Sequence, residues 1–412
     1  MHRYNTALLM TLALIFLVAC AAPDEDALSQ AAQPLATVDD IDVLLEQMEQ
    51  HDLILLGEST HGTQEFYEWR RIITQRLIEE QDIGFIAVEG DWGSIYRLHE
   101  YVIGTRNDTA ESILRAFSRW PEWMWNNNEI LELAEWLREY NEQYPAEQRV
   151  GFFGMDVYGA ENSLQAVKEA VEGTAVENEV HVAYACFAGV REFMDYVSLL
   201  QQGVMCADEA EYVVELVKAL PFVVQQHAHV VKNAERHFRA MIDPSLDSWN
   251  ERVYHMNATV YRLHQTYGRG IIWAHNTHVG DARATAMVQQ GQVNIGQLFR
   301  EQDIQPYILG FGTYTGSVRA GLQWGAPGQV MHIPRAMSGS YEDMLSRFDT
   351  ALFLLKDTEK VPELFTHRLG HRAIGVVYNP LNERGNYVPT ILAERYDAFI
   401  FIKETRAIHP IR

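Results

Sequence analysis

The chain has 412 residues, and its 56 acidic and 33 basic residues give a formal net charge of −23. A surface with this charge repels nucleic acid and anionic membranes, so the composition argues against both as binding partners and favours a neutral or cationic small-molecule substrate. The length exceeds that of a typical single domain, which predicts either one large domain with an insertion or two domains.

The first 20 residues predict a signal peptide of the bacterial lipoprotein type. The apolar run at 7–18 is only about a dozen residues long, which is too short to span a bilayer. It ends in Leu-Val-Ala-Cys, so we expect Cys20 to be lipidated. Because Ala21 is not an acidic retention residue, the outer membrane is the expected location in a two-membrane bacterium. An ordinary signal peptide with a chance cysteine is the alternative.

Residues 21–36 are rich in alanine, aspartate, glutamine and serine and show no periodicity, so they predict a flexible tether. Residues 37–412 would then form the folded body. No other run reaches the roughly 18 apolar residues of a membrane span.

Short apolar, β-branched runs alternate with amphipathic stripes in this body. The stripes at 64–80 and 129–140 have the three- and four-residue spacing of helices. Such alternation predicts an α/β fold with a mostly parallel or mixed central sheet flanked by helices. Between about 161 and 267 no run is strand-like, so we expect a helical insertion that forms one wall of the pocket. The predicted strands are 53–57, 85–89, 150–156, 270–275, 306–312, 351–355, 373–378 and 398–402.

Two cysteines, Cys186 and Cys206, lie in the body of the chain. A helix predicted at 182–200 would place Cys186 about 20 Å from the helix end, and the few residues that follow could barely return that distance. A disulfide therefore requires this helix to stop earlier, and the sequence leaves the bridge open.

Four of the eight predicted strands end in an ionisable residue, namely Glu58, Glu89, Asp156 and His275. One such ending is unremarkable, because a strand must stop at something polar. In a parallel sheet, however, ligands bind at the carboxyl ends of the strands. The sequence therefore predicts that these four side chains meet at one site.

The segment from Gly57 to Gly62 is the densest part of this pattern. His61 is expected just before a helix N-terminus, where its pKa would be lowered and the neutral ring could act as a general base. Glu58 could orient the ring. A capping histidine is the alternative. Ser59 is a minor candidate nucleophile, because the segment lacks the last glycine of the G-x-S-x-G elbow.

His275 and His278 add two imidazoles to this set. In a metal-free site they would position the substrate carbonyl or stabilise the oxyanion while His61 activates water. Alternatively, a divalent metal such as zinc or manganese would be held by Glu58, His61, His275 and His278. The sequence does not separate the two, and no cofactor is favoured.

An aromatic group could pack in the core or line a pocket for a large amphipathic ligand. Arg70 could pair with a pocket carboxylate or point into solvent. The aromatic residues are Trp92, Trp120, Trp123, Trp125 and Tyr158.

Taken together, the ordered motifs of the chain resemble the erythromycin esterase family, from about residue 40 almost to the C-terminus. The matching stretches are 56–62, 65–70, 87–92, 153–156, Trp249-Asn250 with Arg252 and Met256, 273–278 and 375–378.

The resemblance implies a metal-independent carboxylic ester hydrolase that opens a macrolide lactone with water, which is an antibiotic-resistance activity. It assigns the base to His61, with support from Glu58, Glu89 and Arg70. His275 and His278 match pocket histidines, and Asp91 and Asp156 are expected to bind the substrate. The wider superfamily leaves two alternatives: a metal-dependent peptidase-like enzyme, and a non-catalytic surface lipoprotein that binds haem or a glycan. The oligomeric state stays open.

Overall fold

The computed structural model of the protein describes residues 25–191, 193–356 and 361–411. The predicted signal peptide, its Cys20 and the first residues of the predicted tether lie outside the described residues. The strands are β1 Gln33–Pro34, β2 Leu53–Leu56, β3 Phe85–Asp91, β4 Gly151–Asp156, β5 Gly270–Trp273, β6 Pro306–Ala320, β7 Gln329–Ile333, β8 Thr350–Leu354, β9 Arg368–Arg372, β10 Tyr387–Ile391 and β11 Ala398–Thr405.

A mixed nine-stranded sheet forms the centre of the fold. Its strand order is β1-β8-β11-β6-β2-β5-β3-β4, and β7 pairs with β6. The six strands from β11 to β4 run parallel, whereas β8, β1 and β7 pair antiparallel with their neighbours. The predicted α/β fold with a mixed central sheet is thus confirmed. β9 and β10 form a separate two-stranded sheet.

Helices cover both faces of the sheet. Residues within a buried strand alternate between the faces, so Leu53 and Leu55 join one core while Ile54 and Leu56 join the other. No helix among the described residues has the length and hydropathy needed to cross a membrane. The helices are α1 Glu25–Ala31, α2 Asp42–Met48, α3 Gln64–Glu80, α4 Trp92–Val102, α5 Ala110–Arg115, α6 Asn128–Asn141, α7 Ala160–Ala170, α8 Glu177–Tyr184, α9 Phe193–Gln201, α10 Ala207–Leu216, α11 Phe222–Ala240, α12 Ser248–Tyr267, α13 Asn276–Val279, α14 Ile295–Glu301, α15 Tyr341–Met344 and α16 Leu392–Arg395.

The described residues between β4 and β5 form helices α7 to α12, in the stretch where the insertion is expected. The single helix predicted at 182–200 is wrong, because the chain ends α8 at Tyr184 and begins α9 only at Phe193. Gly189 between them has φ +87°, a left-handed conformation that glycine adopts without steric cost. The interruption lets Cys186 and Cys206 approach to a Cα–Cα distance of 5.7 Å, and they form a disulfide.

Two further predictions differ from the structure. The strand predicted at 373–378 makes only isolated bridges, at Ile374 and Val377, and Ile374 and Tyr378 pack under the β6–β7 hairpin instead. The flexible tether is wrong for residues 25–31 and 33–34, which form α1 and β1. Leu28 enters the main core, and Gln33 pairs with β8 at the sheet edge.

Candidate active site

The four strands that end in ionisable residues are consecutive neighbours in the sheet, in the order β2-β5-β3-β4. Because they run parallel, their carboxyl ends share one edge, and Glu58, His275, Glu89 and Asp156 all lie there. All four side chains are buried. Asp91, two residues beyond Glu89, caps α4 by accepting a hydrogen bond from the Ser94 amide at 2.8 Å.

Glu58 links His61 to a buried arginine. One carboxylate oxygen of Glu58 lies 2.9 Å from Nδ1 of His61, and the other accepts a hydrogen bond from Arg70 Nη2 at 2.6 Å. The Arg70 guanidinium carbon lies 4.4 Å from the Tyr67 ring centroid and 4.7 Å from that of Trp273, so it cannot swing into solvent. Because a carboxylate only accepts, Nδ1 of His61 carries a proton and Nε2 is the nitrogen left for chemistry.

The pKa of His61 is raised, opposite to the expectation from its place before a helix. Burial acts to lower this pKa, but the negative charges of Glu89 and Glu58 and the hydrogen bond to Glu58 outweigh it, while Arg252 opposes them. The ring lies two residues before Thr63, the N-cap of α3, and beside two carboxylates, so nearby charges decide the direction rather than the helix.

Arg252, on α12, joins the carboxylates of two strands. It donates to both oxygens of Asp156, at 2.9 and 2.6 Å, and to Glu89 at 2.8 Å. Its Nη1 also lies 3.1 Å from Nε2 of His278, whose ring is stacked on Trp249 with a centroid distance of 4.4 Å. This cluster neutralises most of the carboxylate charge under the site.

The pKa of Glu89 is held well below its usual range. Burial acts to raise it, but His278, His61 and Arg252 outweigh the burial. The second oxygen of Glu89 accepts a hydrogen bond from the backbone amide of His275 at 2.8 Å. Glu89 is therefore a buried carboxylate that fixes the start of the histidine turn.

His275 is neutral and has a defined tautomer. Its pKa lies well below the usual value, because burial lowers it and the nearby His61 adds to this effect. Nδ1 accepts a hydrogen bond from the Thr277 amide at 3.2 Å, so the ring proton is on Nε2. That N–H is aligned with no acceptor among the described residues, although the Ser59 carbonyl acts on the ring to raise its pKa, and the ring centroid lies 4.7 Å from that of His61.

A buried hydrogen-bond chain supports the turn between the two histidines. The Asn276 amide N–H donates to the Glu58 carbonyl at 2.8 Å, and its side-chain Nδ2 donates to Phe311 O at 2.7 Å and to His371 Nε2 at 3.2 Å. His371 Nδ1 in turn donates to Glu342 at 2.6 Å. Burial lowers the pKa of His371, in keeping with this neutral tautomer. A side chain at position 57 would overlap the Asn276 amide, which accounts for the glycine there.

The site opens into a cleft with one charged and one apolar wall. Its charged wall contains the predicted residues His61, Glu89, Asp91 and Asp156, together with Arg119 and Arg252. The predicted residues Glu58, Arg70, His275 and His278 lie behind this wall and support it. The apolar wall comprises Phe117, Pro121, Met124, Trp125, Tyr158, Trp324 and Val376.

Of the predicted aromatic group, only Trp125 and Tyr158 line the cleft. Trp92 and Trp123 are core residues, and Trp120 packs on Trp324 at a centroid distance of 4.7 Å.

Two of the residues predicted as alternative metal ligands use some of their donor atoms in other contacts. Both oxygens of Glu58 are already bound to His61 and Arg70, and the Nδ1 atom of His275 accepts from the backbone. Among the described residues, no group of three or more His, Cys, Asp or Glu side chains has a metal-binding arrangement.

Sequence reasoning missed three residues of the site. Arg252 belongs to a matching stretch but received no role, Arg119 carried no signal, and Trp324 lies in a loop without periodicity. A buried pair of carboxylates does require a cation, and this requirement was the available signal for Arg252.

A known protein family matches most of the chain. The family model described as erythromycin esterase matches residues 78–405. The matched stretch contains Glu89, Asp156, His275 and His278, whereas Glu58, His61 and Arg70 precede it and are joined to it by the contacts above.

Similar solved structures share the fold. A crystal structure described as a succinoglycan biosynthesis protein has a TM-score of 0.79 at 19% identity, covering 94% of this chain and 97% of that chain. A crystal structure of a Bacillus cereus protein has a TM-score of 0.78 at 18% identity, covering 93% of this chain and 98% of that chain. A mutant of the erythromycin esterase EreC in its open conformation has a TM-score of 0.66 at 17% identity, covering 90% of this chain and 94% of that chain. Because the family model matches most of the chain, the protein belongs to the erythromycin esterase family.

Proposed function

We propose that the protein hydrolyses a carboxylic ester, either the lactone of a macrolide or a related bulky ester, with water activated by His61. The observation that carries this proposal is the Arg70–Glu58–His61 chain at the wall of the cleft. It fixes the ring by two charge-assisted hydrogen bonds and leaves Nε2 as the proton acceptor.

In the proposed reaction, Nε2 of His61 takes a proton from water while the water oxygen attacks the ester carbonyl carbon. The carbonyl electrons move to oxygen and form a tetrahedral oxyanion. When the oxyanion collapses, the carbon–oxygen bond to the alcohol breaks, and protonated His61 returns its proton to the leaving alkoxide. A lactone gives one hydroxy acid, and an open ester gives an acid and an alcohol.

The raised pKa of His61 suits both halves of this cycle. The base must be neutral to accept a proton, so the rate falls as the pH drops through its pKa. The same negative surroundings stabilise the imidazolium that forms after water attacks.

His275 supplies the donor that the oxyanion requires. Its Nε2–H is aligned with no acceptor among the described residues, and the neutral ring lies beside His61 just behind the cleft wall, with the Ser59 carbonyl nearby. A neutral donor avoids a competing positive charge next to the base. We therefore assign the positioning of the carbonyl to His275, while His278 holds Glu89 and Arg252 in place.

We further propose that the reaction needs no metal, and that the protein is exported and anchored through Cys20. The Cys186–Cys206 disulfide supports an oxidising compartment. Replacement of Cys20 by serine should release the protein from the membrane fraction of producing cells. Retention of the variant in that fraction would exclude a lipid anchor at this residue.

Purified wild-type protein and His61→Ala should be compared on a macrolide and a panel of simple esters. Mass spectrometry should show the gain of one water by a cleaved lactone in the wild type and none in the variant. His367→Ala is the matched control, because this side chain is 57% exposed and far from the site in the chain. Wild-type activity that persists in His61→Ala would disprove the assigned base, and activity lost in EDTA would disprove the metal-free reaction.

A further inference from the structure

Arg119 lies in the cleft wall with its hydrogen-bond donors unused. It is in the loop between α5 and α6, and its guanidinium carbon lies 4.3 Å from the centroid of the Tyr158 ring. No acceptor among residues 25–191, 193–356 and 361–411 is within hydrogen-bond distance of its side chain. A cation–π contact uses none of the five N–H donors of a guanidinium, so all of them are available to a ligand.

The second cleft arginine differs in this respect. Arg252 gives its donors to Asp156, Glu89 and His278, and its charge is balanced within that cluster. Arg119 acts on Asp91 and Asp156 only through space, without contacting either. It is therefore the cleft cation that can form a new ion pair without breaking an existing one.

A flat aromatic surface lies next to this cation. Trp324 is 58% exposed at the cleft and packs on Trp120. Its ring centroid lies 6.3 Å from that of Tyr158. The Trp120 Nε1 donates to Ala326 O at 2.7 Å, which fixes the two loops to each other. An exposed tryptophan beside a binding cleft offers apolar contact area to the body of a ligand.

We propose that Arg119 is a specificity-determining residue that binds a free carboxylate carried by the ester substrate, with the apolar body of that substrate against Trp324 and Tyr158. A carboxylate matches the planar fork of a guanidinium and can accept two of its hydrogen bonds. It also brings a single negative charge into a cleft that already holds three carboxyl groups, whereas a phosphate dianion would bring more. The inference rests on the proposed ester hydrolysis and names the substrate class for the same site.

This reverses what the net charge of −23 predicts for the substrate. The overall charge governs the approach of a ligand, but a contact inside the cleft depends on the nearest groups. An amine on the substrate would instead meet the positive charge of Arg119. A basic macrolide should therefore be a poorer substrate than an anionic ester of similar size.

The test uses three aryl-alkanoate methyl esters that differ only in a para substituent, which is a carboxylate, a carboxamide or an aminomethyl group. In the wild type, kcat/KM should rank carboxylate above carboxamide above amine. In Arg119→Gln, the ratio of carboxylate to carboxamide should fall by about tenfold to a hundredfold, as expected for a lost hydrogen bond to a charged group. Arg119→Lys should keep part of the preference.

Arg115→Gln is the matched control, because Arg115 is in the same segment but is exposed and paired with Glu111. Its ratio should equal that of the wild type. An unchanged ratio in Arg119→Gln, or a wild-type preference for the carboxamide, would overturn the inference.

A binding measurement separates this inference from the proposed reaction. Trp125 and Trp324 line the cleft, so quenching of tryptophan fluorescence can report binding of the hydrolysis-resistant aryl dicarboxylate and of its carboxamide analogue. If no ester is hydrolysed but Arg119→Gln loses dicarboxylate binding selectively, the subsite stands and the hydrolase proposal fails. If esters are hydrolysed but both analogues bind the variant and wild type equally, the subsite fails alone.

Discussion

Replacement of Arg252 by methionine tests the charge arrangement under the site. Methionine keeps an apolar stem of similar length and removes only the guanidinium. The change removes two hydrogen bonds to Asp156 and one to Glu89, and leaves both carboxylates buried. It also removes the contact with His278.

The cost follows from the burial of these groups. Removal of one partner from a buried ion pair destabilises a protein by about 3–5 kcal/mol, because the other charge is left without compensation. The Arg252 side chain is 16% exposed, so we expect the lower end of that range. For a chain of this size, about 3 kcal/mol corresponds to a fall in Tm of roughly 3–4 °C. Arg236→Met is the control, because Arg236 is 53% exposed and its pair with Glu251 should contribute at most about 1 kcal/mol.

The loss of stability should depend on pH with a definite sign. Because the folded pKa of Glu89 and of Asp156 is lowered, the stabilisation that each provides is present above its unfolded pKa and is lost as the pH falls through the folded one. Arg252 contributes to both shifts. The Tm difference between Arg252→Met and the wild type should therefore be largest near pH 7 and should narrow below about pH 4.

The kinetic profile gives an independent check. The charge of Arg252 acts to lower the pKa of His61, so its removal should move the acid limb of kcat/KM to higher pH. Thermal unfolding and the pH profile should be measured on both variants. The reasoning is refuted if Arg252→Met unfolds at the same temperature as Arg236→Met, or if its acid limb stays in place or moves to lower pH.

Three further predictions follow from other contacts. Glu89→Gln should move the acid limb to lower pH, because Glu89 raises the pKa of His61, and an upward shift would contradict this electrostatic role. Replacement of Cys186 and Cys206 by serine should lower the free energy of unfolding by about 3 kcal/mol, because the disulfide closes a loop with a sequence separation of 20. Urea unfolding measures this change, and a midpoint equal to that of the oxidised wild type would contradict it. Asn276→Asp removes the side-chain N–H donations to Phe311 O and His371 Nε2, so kcat should fall by about a hundredfold with little change in KM. An unchanged kcat would show that the turn between the two histidines does not need these hydrogen bonds.

The convergence of the site was predictable from the sequence because strand ends can be read from local patterns. Glu58, Glu89, Asp156 and His275 each follow a short apolar run, and parallel strands present their carboxyl ends at one edge. That their four strands are neighbours is a property of the sheet order, which local patterns do not contain. The predicted meeting of the four side chains is nevertheless correct, because all parallel strands present their carboxyl ends at the same edge of the sheet.

Local patterns failed where packing with distant segments decides the structure. The run at 373–378 is apolar and β-branched, yet Ile374 and Tyr378 complete the small core under the β6–β7 hairpin while Val376 lines the cleft, and no strand is formed. Similarly, burial acts to lower the pKa of His61, but Glu89, which is distant in sequence, raises it together with Glu58, so the helix that begins next to the ring does not decide the direction.

The role of Arg252 shows what the sequence could and could not supply. Two carboxylates at buried strand ends cannot stay charged without a partner, so a cation at this edge is a physical requirement that follows from the predicted sheet. The chain offers 33 basic residues, and nothing in their spacing selects the one on α12. The selection is made by the docking of a helix from the insertion against the ends of β3 and β4, which places the guanidinium between Glu89 and Asp156. The insertion therefore completes the electrostatics of the site through Arg252, whereas the apolar cleft wall comes from other segments, and changes to its helices should alter the pH dependence of the reaction.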